Sequence, residues 1–221
     1  MTTTVIKAVW KYDQRGLDEC AESTAEMLKN LKDYDSSISG LRYRGKIKAA
    51  SIELANLTPQ SVREKFLASA DGFVDDENAS FSGYHVGFWM PDGPFNSIDA
   101  IVGSRGSTLS NSVTLKCPRE SPYSLSSGNT AKVIELCNTL LDITPGEFCV
   151  WGTNAVFAPQ IKSRKYPYFG FATVLEEDIL EESNVLIGEE FTLEHIGRRL
   201  AIVPAISPHE IDNRAIYSMH A

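Results

Sequence analysis

The chain opens on a run, Val5 to Trp10, in which both alternating sets of positions are largely apolar: Val5, Lys7 and Val9 on one face, Ile6, Ala8 and Trp10 on the other. Period two with no consistently polar face predicts a buried strand. A polar turn follows, Tyr12-Asp13-Gln14-Arg15-Gly16. Beyond it Leu17, Cys20, Ala21, Thr24, Met27 or Leu28, and Leu31 recur at spacings of three and four. That spacing draws one apolar stripe along a helix. Asp18, Glu19 and Glu22 fall in its first turns and Lys29 and Lys32 in its last, as the helix macrodipole favours.

Lys46 to Leu54 reads as a second strand. Thr58-Pro59 reads as a helix start, with threonine as N-cap and proline at the first helical position. Val62, Phe66, Leu67 and Ala70 supply its buried face, and Gly72 ends it. From Phe81 to Met90, Tyr84, Val86, Phe88 and Met90 alternate against His85, Gly87 and Trp89, and Pro91-Asp92-Gly93-Pro94 forms a turn. Ser97–Val102 and Ser112–Cys117 are the next two strands, and their short spacing predicts an antiparallel meander. Ser126 to Thr130 leads into a helix with Val133, Ile134, Cys137, Leu140 and Leu141 inward, stopped by Pro145-Gly146. Phe148–Trp151, Phe169–Leu175 and Leu200–Ile206 read as strands, and Lys162–Tyr168 as a basic, aromatic loop. No repeat and no long linker interrupts the pattern. It predicts an α+β fold, a mainly antiparallel sheet packed with a few helices in a single domain over 1–207, with a loosely held tail over 208–221.

Charge sharpens this picture more than composition does. Of 221 residues, 43% are hydrophobic and 23% charged, ordinary globular values, and the net charge is −8. Between Ala172 and His195 stand eight acids and no lysine or arginine, so this segment alone matches the net charge. A second base-free stretch, Phe66 to Ser104, carries Asp71, Asp75, Asp76, Glu77, Asp92 and Asp99. Concentrated acid repels nucleic acid and steers basic partners. No apolar run reaches the roughly 20 residues of a membrane span, and no signal-peptide pattern opens the chain. A soluble cytoplasmic protein is expected.

Candidate chemistry is sparse. Asp18, Glu19 and Cys20 are sequence neighbours, but neighbours on a helix point about 100° apart and cannot converge on one substrate atom. Cys20 lies on the apolar stripe, so a buried thiol at a helix start is the reading. Cys117, Cys137 and Cys149 also sit in apolar contexts, without a CxxC pair, and read as buried free thiols. His85, His195, His209 and His220 show no metal-ligand spacing, and no Walker A, dinucleotide-binding or nucleophile-elbow motif is present. Gly103-Ser104-Arg105-Gly106 precedes a strand, so it offers no helix N-terminus to phosphate. Lys162-Ser163-Arg164-Lys165-Tyr166-Pro167-Tyr168 has the residue types that touch phosphate and stack a base, against an acidic background. No cofactor and no metal site is expected.

The order of the strand and turn elements resembles a bacterial immunity family. The strand ending in Trp10, then Tyr12-Asp13, then the helix carrying Leu17, Glu19, Cys20, Ala21 and Glu22 is similar to the N-terminus of the immunity protein 52 family, found beside toxins of polymorphic and type VI secretion systems. Gly87 to Gly93 looks like its strand-to-turn element and Ser112 to Pro118 like its next paired strand. Gly170 to Leu175 looks like its C-terminal strand, with Phe171 where that family carries tryptophan. The resemblance spans most of residues 5 to 205. It implies an α+β fold, no catalysis, and binding to a secreted toxin, usually a nuclease with a restriction-endonuclease-like fold.

A nuclease must present a basic surface to hold phosphate, and concentrated acid suits that surface. Charge alone nominates Glu176, Glu177, Asp178, Glu181 and Glu182 as toxin contacts, with Asp75, Asp76 and Glu77 as a second patch. The expected partner is a cognate toxin protein, with no nucleic acid and no membrane. The alternative is a small cytoplasmic hydrolase or transferase in which the fold assembles a Cys–His pair such as Cys149 and His85.

Overall fold

A computed structural model of the chain describes residues 3–38, 40–43, 52–53, 57–69, 83–105, 111–163, 165–183, 186–205 and 216. The strands are β1 (Thr4–Trp10), β2 (Arg42–Tyr43), β3 (Ile52–Glu53), β4 (Tyr84–Trp89), β5 (Ser97–Val102), β6 (Asn111–Cys117), β7 (Phe148–Thr153), β8 (Ala172–Glu176), β9 (Phe191–Ile196) and β10 (Arg199–Pro204). The helices are α1 (Leu17–Tyr34), α2 (Pro59–Ser69), α3 (Thr130–Ile143), α4 (Asn154–Lys162) and α5 (Glu177–Glu182). A short 3-10 turn, Leu125–Ser127, precedes α3. The fold is α+β with an antiparallel sheet. The pairs β2–β3, β2–β4, β4–β5, β7–β8, β8–β10 and β9–β10 are all antiparallel.

The chain divides into two compact units, Val9–Leu115 and the remainder, and the division passes through β1 and β6 rather than through a linker. In the unit Val9–Leu115 the strands run β3-β2-β4-β5-β6. Helix α1 buries Cys20, Ala21, Thr24, Ala25, Met27, Leu28 and Leu31, the stripe read from the sequence. Each fully buried leucine or methionine there contributes about 1.5–3 kcal/mol. Helix α2 packs against α1 and β4, burying Val62 and Phe66, while Leu67 is exposed. Thr58 caps it as expected, its Oγ1 accepting from Ser61 N–H at 3.2 Å.

In the other unit the strands run β1-β7-β8-β10-β9. All six residues of β7 are buried, so both faces of that strand are covered. Cross-strand register puts Cys149, Val174 and Ala201 on one face and Phe148, Leu175 and Leu200 on the other. Helix α3 covers the first face, and Asn129 caps it, its Oδ1 accepting from Lys132 N–H at 3.2 Å. Phe148 on the second face meets Tyr166 and Tyr168 edge-on, at 5.0 and 5.1 Å between ring centroids.

Besides Leu67, expected inward but facing solvent because only Val62 and Phe66 of α2 are buried, three sequence expectations change. The loop over Lys162–Tyr168 begins inside a helix: α4 ends at Lys162 and carries Pro159 within it. The acidic stretch holds a further strand, β9, which forms a hairpin with β10. Its turn is Gly197-Arg198, and Gly197 takes φ +61°, the left-handed conformation that a tight primed turn requires. The last strand starts at Arg199 and ends at Pro204. Of the expected strand Lys46–Leu54, only Ile52–Glu53 is described. Gly72 and the tail 208–221, apart from Ile216, lie outside the described residues.

Candidate partner-binding surface

The acidic segment begins where β8 turns into α5. Seven of its eight acids are exposed: Glu177, Asp178, Glu181, Glu182, Glu189, Glu190 and Glu194. Glu177 and Asp178 occupy the first turn of α5, where the macrodipole favours negative charge. These exposed carboxylates, all of one sign, combine into a negative field.

Glu176 differs. Its Oε1 accepts from Arg199 Nε at 2.8 Å and lies 3.6 Å from Arg198 Nε. The Arg199 side chain is 2% exposed, and its Nη1 donates to Asp142 Oδ1 at 2.7 Å and to Asn138 Oδ1 at 2.8 Å on α3. Burial alone lowers the pKa of Arg199, but the bonds to Asp142 and Glu176 outweigh it and raise the value. Arg199 therefore ties the end of β8 to the start of β10 and to α3. It leaves α5 projecting from a braced root, with Glu177, Asp178, Glu181 and Glu182 on its exposed surface. Of the residues nominated from charge, these four come together, Glu176 is held inward, and Asp75, Asp76 and Glu77 lie outside the described residues.

The three neighbours at the head of α1 separate as their spacing implies. Asp18 Oδ1 accepts from Arg63 Nε at 2.6 Å, and Glu19 Oε2 accepts from Gly16 N–H at 2.9 Å, covering an orphan donor at the helix start. Cys20 is fully buried, and its thiol donates to Arg15 O at 3.6 Å. Burial, with the nearby Asp13 carboxylate adding to it, pushes that thiol up to about 12.

Asp13 itself escaped the sequence reading. It is 4% exposed and accepts five bonds. Arg15 Nε and Nη2 grip it as a fork at 2.8 and 2.6 Å, and Arg15 N–H, Trp10 Nε1 and Gly103 N–H donate at 3.1, 3.4 and 3.0 Å. Gly103 has φ +73°, and a Cβ there would meet Tyr84 at 2.9 Å and Cys20 Sγ at 3.0 Å, so the loop after β5 passes close over α1. The only sequence signal was an Asp-x-Arg spacing in a turn. The partner at Gly103 is 90 residues away.

Cys117, Cys137 and Cys149 are buried and free as well, and burial pushes the Cys117 and Cys149 thiols up. His85 and His195 are exposed on β4 and β9. Among the described residues no group of three or more His, Cys, Asp and Glu side chains is arranged to hold a metal. The tyrosines of the basic cluster turn inward: Tyr166 Oη donates to Glu147 Oε2 at 2.5 Å, and Tyr168 is 2% exposed. The buried Tyr168 ring is not presented for stacking on a base, and Tyr166 is half-buried. No described helix is long and apolar enough to cross a membrane.

An α+β fold with an antiparallel sheet and an exposed acidic face is the class that these observations define. Among solved structures it is similar to a type VI secretion system protein of Pseudomonas aeruginosa, PA0821, with a TM-score of 0.52 and 11% identity, over 100% of this chain and 73% of that one. At that identity the likeness is one of fold. No protein-family model and no curated protein matches the chain.

Proposed function

We propose that this protein is an immunity protein of a type VI secretion system, which neutralises a cognate antibacterial toxin by binding it and performs no catalysis. The observation that carries the reading is the shared fold, along the whole chain, with a type VI secretion protein. The exposed acids of α5 and the β9 region support it, because a toxin that cleaves nucleic acid needs a basic surface for phosphate. The toxin is accordingly proposed to be a nuclease of restriction-endonuclease-like fold, met by this protein in the cytoplasm. Acid against base speeds encounter, and apolar and aromatic contacts supply most of the affinity.

The test is co-expression with the product of the adjacent gene. The expected result is a complex that co-purifies and rescues cells from that product's toxicity; an adjacent product that is neither toxic nor bound removes the reading. The non-catalytic part is tested by alkylation of the native protein at neutral pH. At a pKa of about 12, against an ordinary 9.0, the Cys20 thiolate fraction falls about a thousandfold. All four cysteines should resist iodoacetamide until the protein unfolds. One thiol that reacts at the rate of a free cysteine favours the Cys–His enzyme.

A further inference from the structure

The proposed immunity role leaves open how a partner is gripped. Strand β9 stands at the outer end of the strand order, and among the described residues no strand lies beyond it. Its neighbour β10 is buried along five of six residues, on both faces, whereas Thr192, Leu193, Glu194 and His195 of β9 are all exposed. The hairpin thus runs out past the layers that cover β10. Its register tells which backbone groups face outward. The two-residue turn makes Ile196 and Arg199 a hydrogen-bonded pair, and alternation then directs Glu194 and Thr192 toward β10. Ala205 N–H donating to Glu190 O at 2.8 Å continues the same parity at the far end. The N–H and C=O groups of Leu193 and His195 therefore point away from β10. Phe191, of the same parity, is already engaged, its N–H donating to Gly188 O at 3.0 Å.

We infer that the outer edge of β9 is a docking strand for an extended, basic segment of a partner protein, added by backbone hydrogen bonds to Leu193 and His195. Such edges are templates for strand addition, with main-chain bonds giving affinity and flanking side chains giving selectivity. The charge around this edge is mostly acidic, the exception being Arg198 of the turn, whose Nε lies 3.6 Å from Glu176 Oε1. Glu189 and Glu190 precede the strand and Glu194 lies within it. The acids of α5 start at the hairpin end, two strands or about 10 Å across the sheet, because Glu176 pairs in register with Arg199. That charge selects a basic occupant and disfavours a second copy of this chain, which would bring the acids of both copies together. Leu193, 46% exposed, offers an apolar contact on the same edge.

This inference deepens the immunity reading and rests on it. The probe is a fluorescent, end-blocked peptide alternating lysine with valine, titrated into the full-length protein, with a glutamate-for-lysine peptide as the control. The lysine peptide should bind and slow hydrogen exchange at the Leu193 and His195 amides; the control should not bind. Leu193→Pro removes one outward donor without touching the β9–β10 ladder, so it should keep the melting temperature and weaken peptide binding about tenfold or more. Unchanged binding by that variant, protection elsewhere, or no binding by the lysine peptide overturns the inference. The two proposals fail separately. An adjacent gene product that binds Leu193→Pro with unchanged affinity sinks the docking strand alone. Peptide protection at Leu193 and His195 without any bound gene product sinks the immunity role alone.

Discussion

Around Asp13, charge is buried and cross-linked: one carboxylate accepts five bonds from three stretches of chain, and its guanidinium partner also donates to Ser23 Oγ at 2.6 Å. From Glu177 to Glu194, charge is exposed, of one sign, and set on a short helix and a strand at the outer end of the strand order. Both regions are built on carboxylates. What separates them is desolvation. A carboxylate taken out of water must be compensated group by group, so its neighbours become fixed and the cluster holds the fold. A carboxylate left in water needs no partner, contributes little to stability, and keeps its field for something outside the chain. Glu176 marks the boundary, lying between a hydrated helix and a buried arginine.

The comparison is broken most directly at Asp13. Asp13→Ala leaves the Arg15 fork, Trp10 Nε1 and Gly103 N–H without their acceptor, and should destabilise the protein by about 3–5 kcal/mol. The urea midpoint at neutral pH measures it. The same residue gives an acid-dependent limb. Burial raises the Asp13 pKa, but the bonds from Arg15 and Gly103 outweigh that and hold it below the model-compound value of 3.8. As pH falls, the unfolded chain therefore takes up the proton first. The stabilisation is complete above 3.8 and is lost as pH drops through the lower folded value. Asp13→Asn should flatten that part of the stability profile; an unaltered profile places the acid limb elsewhere.

Arg199 should give the next largest effect. Arg199→Met keeps an apolar stem of similar length but removes the bonds to Glu176, Asp142 and Asn138. Asp142 is 55% exposed in its side chain and rehydrates, so the expected loss is about 2 kcal/mol, smaller than at Asp13. Thermal unfolding of the two variants side by side tests the ranking. Equal or reversed losses contradict the view that the number of stranded buried groups sets the cost.

These two clusters show where sequence reading reached and where it stopped. Helix α1 was legible because seven of its residues are buried along one stripe, and burial at period 3.6 is what a sequence pattern records. The strands β4, β5 and β6 were legible for the matching reason, with alternation visible as burial on one face. Strand β9 was missed because four of its residues are exposed, so no face imposed an apolar period on it; Gly197 ahead of two arginines was the available turn signal. Helix α4 was missed because Pro159 sits inside it and its apolar residues form no continuous stripe. On the candidate surface, the exposed acids of α5 could be nominated from charge alone. The inward turn of Glu176 could not, because it depends on Arg199, 23 residues away, and on α3 beyond that. Asp13 is the same case at greater range.

The smallest effect on stability is expected where the charge is densest, and it is the result that sharpens the contrast. Reversing Glu177, Asp178 and Glu181 together to lysine changes three exposed side chains on α5. Exposed positions of this kind alter folding free energy by about 0.5 kcal/mol or less each, and relief of like-charge repulsion offsets part of the loss of acid from the helix start. If the field of α5 steers a basic partner, the same variant should slow association with the cognate gene product by about tenfold while dissociation changes little. It should also flatten the dependence of the association rate on ionic strength, because screening acts on the steering field. Stopped-flow association across a salt series separates the two roles: large destabilisation with unchanged association would make α5 part of the structural charge network, like Asp13. Retained stability with slower, salt-insensitive association assigns its carboxylates to the partner.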